Sequence, residues 1–297
     1  MNDIPSRQNA PGSQELMKAR EHLYARATRL QIAQLFCTVV FPMIFAIVGL
    51  LTEAARPYVA LAAFAMTVLD LAALDRAQRQ HLRVAARISE QFDCEVLQMS
   101  WKRFVAGRQI DPETIAEAAA SWRGRPEKVL DWYPLAVGAA PLHLARLICQ
   151  RTNLWYDSNL RRRWSRAVLA LAMTTFMLLL VAGFLADLSL LGFSATILAP
   201  ATPLMIWAFR EHYRQLDAAQ SLENIKDEAE TLWDQVKADQ VGLEECLIRS
   251  REFQNAIFAR RTLNPLIFPL IYPLLRDRME VQMNKGAEQY LKEIGCS

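Results

Sequence analysis

Four long apolar runs, set as two closely spaced pairs, constrain this chain more than any other feature of its sequence. Ile32 to Leu51 carries no charge, and its polar side chains are Gln34 and Thr38. Pro57 to Leu74 follows after only Thr52-Glu53-Ala54-Ala55-Arg56, and Asp70 is the one charge that interrupts it. Val168 to Ala186 and Leu190 to Phe209 form the second pair, separated by Asp187-Leu188-Ser189. At 1.5 Å rise per residue, a run of about 20 residues crosses the roughly 30 Å of bilayer hydrocarbon. Two such pairs predict four transmembrane helices arranged as two hairpins, rather than buried helices of a soluble core. The overall hydrophobic content of 53% conceals this, because the remaining chain is rich in Arg, Glu and Gln.

Loop charge orients the spans. Lys18, Arg20, Arg26 and Arg29 precede the first, and Arg76, Arg79, Arg83 and Arg87 follow the second. Arg161, Arg162, Arg163 and Arg166 precede the third, and Arg210 and Arg214 follow the fourth. The two short turns hold one basic residue between them, Arg56. The positive-inside rule then puts both turns outside and everything else, with both termini, in the cytoplasm. The N-terminal residues lack a short apolar stretch with a small-residue cleavage site, so no cleaved signal peptide is expected. Inside the spans, Asp70 is costly in hydrocarbon and is a candidate pore-lining or gating residue. Pro200 and Pro203 predict a kink or unwound segment in the fourth span, a second candidate gating element. A static packing kink is the alternative.

The expected fold is an all-α membrane protein: four transmembrane helices as two hairpins plus a cytoplasmic helical domain. Residues 1–13, with Pro5, Pro11 and Gly12, read as disordered. A cytoplasmic helix over 14–31 leads into the first hairpin, 32–75. A cytoplasmic helical domain spans 76–166, where Asp111-Pro112-Glu113 marks one helix start and Pro141 another. The second hairpin covers 167–209 and a helical C-terminal region covers 210–297. There, Leu222, Ile225, Ala229, Leu232 and Val236 form an apolar seam, too short to establish a coiled coil. It would pack on the helix after the second span or on another copy. In Asn264-Pro-Leu-Ile-Phe-Pro-Leu-Ile-Tyr-Pro-Leu-Leu, prolines recur every fourth residue, and the run is too short and broken to span.

Catalytic and cofactor motifs are absent: there is no HExxH, GxSxG, Walker or GxGxxG pattern, so neither an enzyme nor a cofactor protein is expected. The five cysteines and four histidines show no metal-ligand spacing. His212 and Asp217 imitate half of a membrane acyltransferase signature, but five helical positions separate them by roughly 140°. The densest polar constellation is Gln150-Arg151-Thr152-Asn153-Leu154-Trp155-Tyr156-Asp157-Ser158-Asn159-Leu160-Arg161-Arg162-Arg163-Trp164. Guanidinium groups pair with phosphates, and aromatic faces stack on bases, so this mixture suits a phosphate-bearing ligand. Arg151, Asn153, Trp155, Tyr156 and Arg161 are the candidates, Arg151 and Trp155 foremost. The competing reading makes the arginines topology determinants and Trp164 an interfacial anchor. A second patch running to Trp101-Lys102-Arg103-Phe104 offers Trp101 and Arg103 as an opposing wall.

With its two hairpins, its FDCEVLQMSWKRF and ICQRTNLWYDSNLRRRW stretches and its NPLIFPLIYPLL run, the chain resembles the SMODS-associated four-transmembrane effectors of bacteria over nearly its whole length. That resemblance implies a pore-forming effector of antiphage defence in the inner membrane. Its signal would be a cyclic oligonucleotide made by a partner nucleotidyltransferase, and its copies would assemble in the lipid bilayer as a homo-oligomer. The alternative is a membrane-anchored scaffold or signalling adaptor without a pore.

Overall fold

A computed structural model of the protein describes residues 1–52, 54, 56–268 and 272–296. Glu53 and Ala55 of the first expected turn lie outside the described residues, as do Pro269, Leu270 and Ile271 of the proline-spaced run. The chain forms α1 (Ile4–Gln8), α2 (Pro11–Leu35), a first π-helical stretch (Phe36–Val40), α3 (Phe41–Leu51) and α4 (Arg56–Leu69). A second π-helical stretch (Asp70–Leu74) leads into α5 (Asp75–Val96), which is followed by α6 (Arg103–Ala106) and α7 (Pro112–Ala120). Two 3₁₀ turns (Pro126–Val129 and Leu135–Ala139) precede α8 (Leu142–Leu185) and α9 (Leu190–Phe193). A third π-helical stretch (Ser194–Leu198), α10 (Ala199–Lys237), α11 (Leu243–Leu263) and α12 (Tyr272–Glu293) complete it. Among the described residues there is no strand, as the absence of alternating apolar positions predicts.

The chain divides into two compact units. The first unit comprises Met1–Arg26, His81–Arg161 and Ala218–Ser297, and the second comprises Ala27–Gln80 and Arg162–Asp217.

In the second unit the usual distribution of side chains is inverted. Tyr58, Leu61, Phe64, Leu171, Leu178, Phe184 and Leu185 are all exposed, an apolar surface that water does not tolerate and lipid does. Three helical stretches, Pro11–Phe45, Leu142–Leu185 and Leu190–Lys237, are long and apolar enough to cross a membrane. The second apolar run is helical as α4 and the second π stretch, and α3 packs beside α4. Gly183 lets α8 approach α9 closely: a Cβ there would stand 2.7 Å from the Phe193 ring and 3.2 Å from Ile197. At the end of this unit, Trp164 Nε1 and Gln215 Nε2 both donate to Glu211, and Ser165 Oγ meets His212 Nδ1 at 2.8 Å.

The first unit has an ordinary apolar core. Ile88, Phe92, Leu97, Tyr133, Leu147, Ile148, Leu232 and Met17 are almost wholly inaccessible. The expected seam on α10 is part of it: Leu222 and Ile225 meet Leu154 and Ile257, while Ala229 and Leu232 join the main cluster. Residues 1–13, expected to be disordered, instead hold α1 and the start of α2. Pro5 occupies the first turn of α1, where its missing N–H is not needed, and Ile4 is fully buried. Asn2 Nδ2 donates to Val137 O at 2.7 Å and Ala140 O at 2.8 Å. Gln8 makes a two-way pair with the Tyr133 backbone, donating to its carbonyl and accepting from its N–H. Local composition signals disorder here, and partners more than 120 residues away in sequence override it.

Candidate functional site

The polar stretch before the third run lies on α8, and helical geometry fans its side chains in three directions. Gln150, Leu154, Ser158 and Arg161 recur at i, i+4, i+8 and i+11 and point inward, all buried. Gln150 Nε2 donates to Ser250 O at 2.8 Å and Gln254 Oε1 at 3.2 Å. Arg161 pairs with Asp157 at 3.0 Å and donates to Pro265 O at 2.7 Å. Arg151 faces α10 and α12. Both its Nε (2.9 Å) and Nη2 (2.8 Å) reach Glu230 Oε1, and its guanidinium stands 4.9 Å from the Tyr290 ring centre. Around it Leu147, Ile148, Ala229, Trp233 and Tyr290 leave a space of about 10 Å³, room for a single water. Trp155 lies about 40° round the helix from Arg151 and is half-buried.

Asn153 and Tyr156 take the third direction. Asn153 Nδ2 donates to the Tyr133 hydroxyl at 3.0 Å. The Tyr156 hydroxyl is buried beside Tyr272, and burial followed by that neighbour raises its pKa. Trp101 and Arg103 sit apart from all of these, in a tight loop closed by Trp101 Nε1 donating to Gly107 O at 2.9 Å. Trp101 packs on Ala86, Ala106 and Phe258, and Arg103 is exposed. The seven candidates therefore do not converge on one cavity.

The most concentrated polar site of the first unit was not anticipated. Glu90 and Asp93 on α5 are buried against Arg251, Gln254 and Arg261 on α11. Asp93 accepts from Tyr133 Oη at 2.7 Å and Gln254 Nε2 at 2.8 Å, and pairs with Arg261. Glu90 accepts from Arg251 at 2.5 Å and from Gln254 at 2.8 Å. Burial, and then the neighbouring Asp93, push the Glu90 carboxyl above its ordinary range. Cys94 is pushed up to about 12 by burial and by Glu90. Burial opposes the charge of Arg261, but Asp93 together with Tyr133 and Tyr24 outweighs it, and the guanidinium is held more firmly protonated. Two carboxylates and two guanidinium groups balance, which is how buried charges are retained. Beside this network, Arg146 donates to the Leu97 and Gln98 carbonyls, closing the open C-terminus of α5.

In the second unit, Asp70 opens the second π stretch and accepts from Gln34 Nε2 at 2.8 Å. Pro200 and Pro203 fall in the first turns of α10, directly after the third π stretch. There the Ala199 N–H bonds Ser194 O, five residues back, so the helix is widened where the prolines withdraw donors. Pro42 repeats this arrangement after the first π stretch, where Phe41 N–H bonds Phe36 O.

A family model for the SMODS-associating 4TM effector domain matches residues 2–290. The chain belongs to this family. It is also similar to a "probable CBASS effector molecule" of Bacillus cereus strain VD146, with 23% identity over 215 residues, 71% of each chain. No solved structure matches. For a 4TM effector domain, the family match spans both units, so the polar network of α5 and α11 and the π-helical stretches belong to the same matched domain. The network was detectable in principle. Glu90 and Asp93 continue the buried face of α5 at i+4 and i+7 from Ala86, and Arg251, Gln254 and Arg261 are spaced to answer them.

Proposed function

We propose that this protein is a membrane-disrupting effector of CBASS antiphage defence, opened by a cyclic oligonucleotide. In this reading four spans form two hairpins in the bacterial inner membrane, α4 with its π stretch being the second span, with both termini cytoplasmic. Several copies line a pore, since four short-looped spans are a thin wall for one. The first unit receives the nucleotide made by a partner nucleotidyltransferase. Arg151 and Trp155 are its first contacts, with Asn153, Tyr156, Arg161, Trp101 and Arg103 as further candidates. Asp70, Pro200 and Pro203 belong to the gate. The ligand works by binding the open state more tightly than the closed one.

The observation that carries this reading is the effector-domain match over residues 2–290, on a chain whose second unit turns large apolar side chains outward. The test is dye and ion leakage from liposomes containing the purified full chain, with cyclic di-AMP, cyclic tri-AMP and 3′,3′-cyclic GMP–AMP added in turn. Leakage that depends on one of these nucleotides supports the reading. Correctly inserted protein that binds a nucleotide and never leaks points to a membrane-anchored adaptor instead.

A further inference from the structure

The second unit carries polar side chains that crossing a membrane does not require. Gln34 and Thr38 recur at i and i+4 on one helical face. Thr67 and Asp70 recur at i and i+3 on the neighbouring one. The two strips meet where Gln34 Nε2 donates to Asp70 Oδ1 at 2.8 Å. Thr38 and Thr67 are exposed. Their hydroxyls donate back to Gln34 O at 2.8 Å and Ala63 O at 2.9 Å, which uses the proton and leaves oxygen lone pairs outward. Asp70 is only half-buried, its hydrogen-bond partner is a neutral amide, and no basic side chain among the described residues pairs with it. The backbone is irregular on both helices: Phe41 N–H to Phe36 O and Asp75 N–H to Asp70 O are both five-residue bonds.

A strip of carboxylate, amide and hydroxyl oxygens is costly against lipid tails, and such groups face water or other copies instead. All of these oxygens can accept hydrogen bonds or face a cation, and Asp70 is the acidic group among them. We infer that this strip lines the conducting path and that Asp70 makes the path cation-selective. The inference rests on the pore reading above and adds the class of ion that passes. Arg29, Arg76 and Arg79, which flank the strip in sequence, would draw anions. The inference therefore requires Asp70, and not these arginines, to stand at the narrowest point.

One carboxylate about 4 Å from a passing ion in water enriches monovalent cations roughly fivefold, and copies arranged in a ring raise this further. The test is the reversal potential of the full chain in planar bilayers under a KCl gradient, with the three cyclic nucleotides named above as probes. Wild type should favour potassium over chloride by about fivefold or more. Asp70→Glu should keep the preference, Asp70→Asn should remove it and Asp70→Lys should reverse it. The wild-type measurement decides even where a variant fails to insert. Currents that favour chloride, or show no preference, overturn the selectivity and leave the pore standing. Nucleotide binding without any current overturns both.

Discussion

Replacing Asp93 by Asn tests whether the first unit is organised around its buried charges. Asp93 is 1% exposed, and its carboxylate accepts from Tyr133 Oη, Gln254 Nε2 and Arg261. Asparagine keeps the shape and one acceptor oxygen but removes the charge. Arg261 is then left protonated, with its guanidinium side chain only 16% exposed and its counterion gone. Losing one partner of a buried pair costs about 3–5 kcal/mol, against about 1 kcal/mol for an ordinary neutral hydrogen bond. For a domain stable by roughly 5–15 kcal/mol, D93N should lose on the order of a third of the total.

Arg261→Met should cost a similar amount, because it strands Asp93. The double variant should lie closer to wild type than the sum of the two, because no charge is left alone. Denaturant unfolding of detergent-solubilised protein, followed by tryptophan fluorescence, measures all four corners of the cycle. A D93N cost below about 1 kcal/mol, or strict additivity of the pair, would show that this network is water-screened and peripheral.

Three further expectations come from other places in the structure. Gly183→Leu should separate α8 from α9, because even a Cβ meets Phe193 at 2.7 Å; cysteine crosslinking between positions 180 and 197 should fall in efficiency relative to the parent pair. His81 and His143 both have lowered pKa values, from burial and then from Arg26 and Arg146 respectively. The unfolded chain therefore takes up protons first. The contribution of these two groups is fully present above the ordinary value of 6.5 and is lost as pH falls through the lower folded values. Glu90 has the opposite sign: its contribution is present below 4.5 and lost as pH rises through its raised folded value. Hence the difference between wild type and the His81→Gln/His143→Gln variant across pH 7.5 to about 5 is the quantity to read, and an unchanged difference refutes the assignment. Finally, Arg151→Ala and Trp155→Ala should abolish nucleotide binding without preventing insertion, whereas Glu230→Gln should tighten binding. The ligand no longer has to displace a partner worth about 0.2–1 kcal/mol, so isothermal titration should show a gain of roughly 1.5- to 5-fold. Unchanged affinity in all three variants moves the site elsewhere.

What could be read from the sequence follows the range of the interactions involved. Runs such as Val168 to Ala186 announce a membrane because hydrophobicity acts locally and adds up within one helix. The helix start at Pro112 is equally local, since proline needs no donor in a first turn, and α7 begins there. Pro200 and Pro203 signal an irregularity in the last apolar run for the same reason, and the third π stretch lies just ahead of them. By contrast, the order of residues 1–13 depends on the loop at residues 133–140, and nothing within the first dozen residues reports it. The second π stretch has no proline to announce it, only Asp70 and its bond to Gln34 on α2.

The arginines show most clearly why residue type alone misleads about a binding site. Arg151 and Arg161 lie ten residues apart on one helix, in a stretch that reads as a continuous phosphate-binding surface. Ten residues turn the helix by about 1000°, which leaves the two guanidinium groups roughly 80° apart, and each finds a different protein acceptor. Arg161 is buried between Asp157 and a backbone carbonyl, so releasing it to a ligand would strand the Pro265 oxygen and expose a charge already satisfied. Arg151 is more accessible, and its partner Glu230 sits among Lys226 and Tyr290, both able to hold that carboxylate if the arginine turns away. Of the two, only Arg151 can change partners at low cost. That ranks it ahead of Arg161 on energetic grounds.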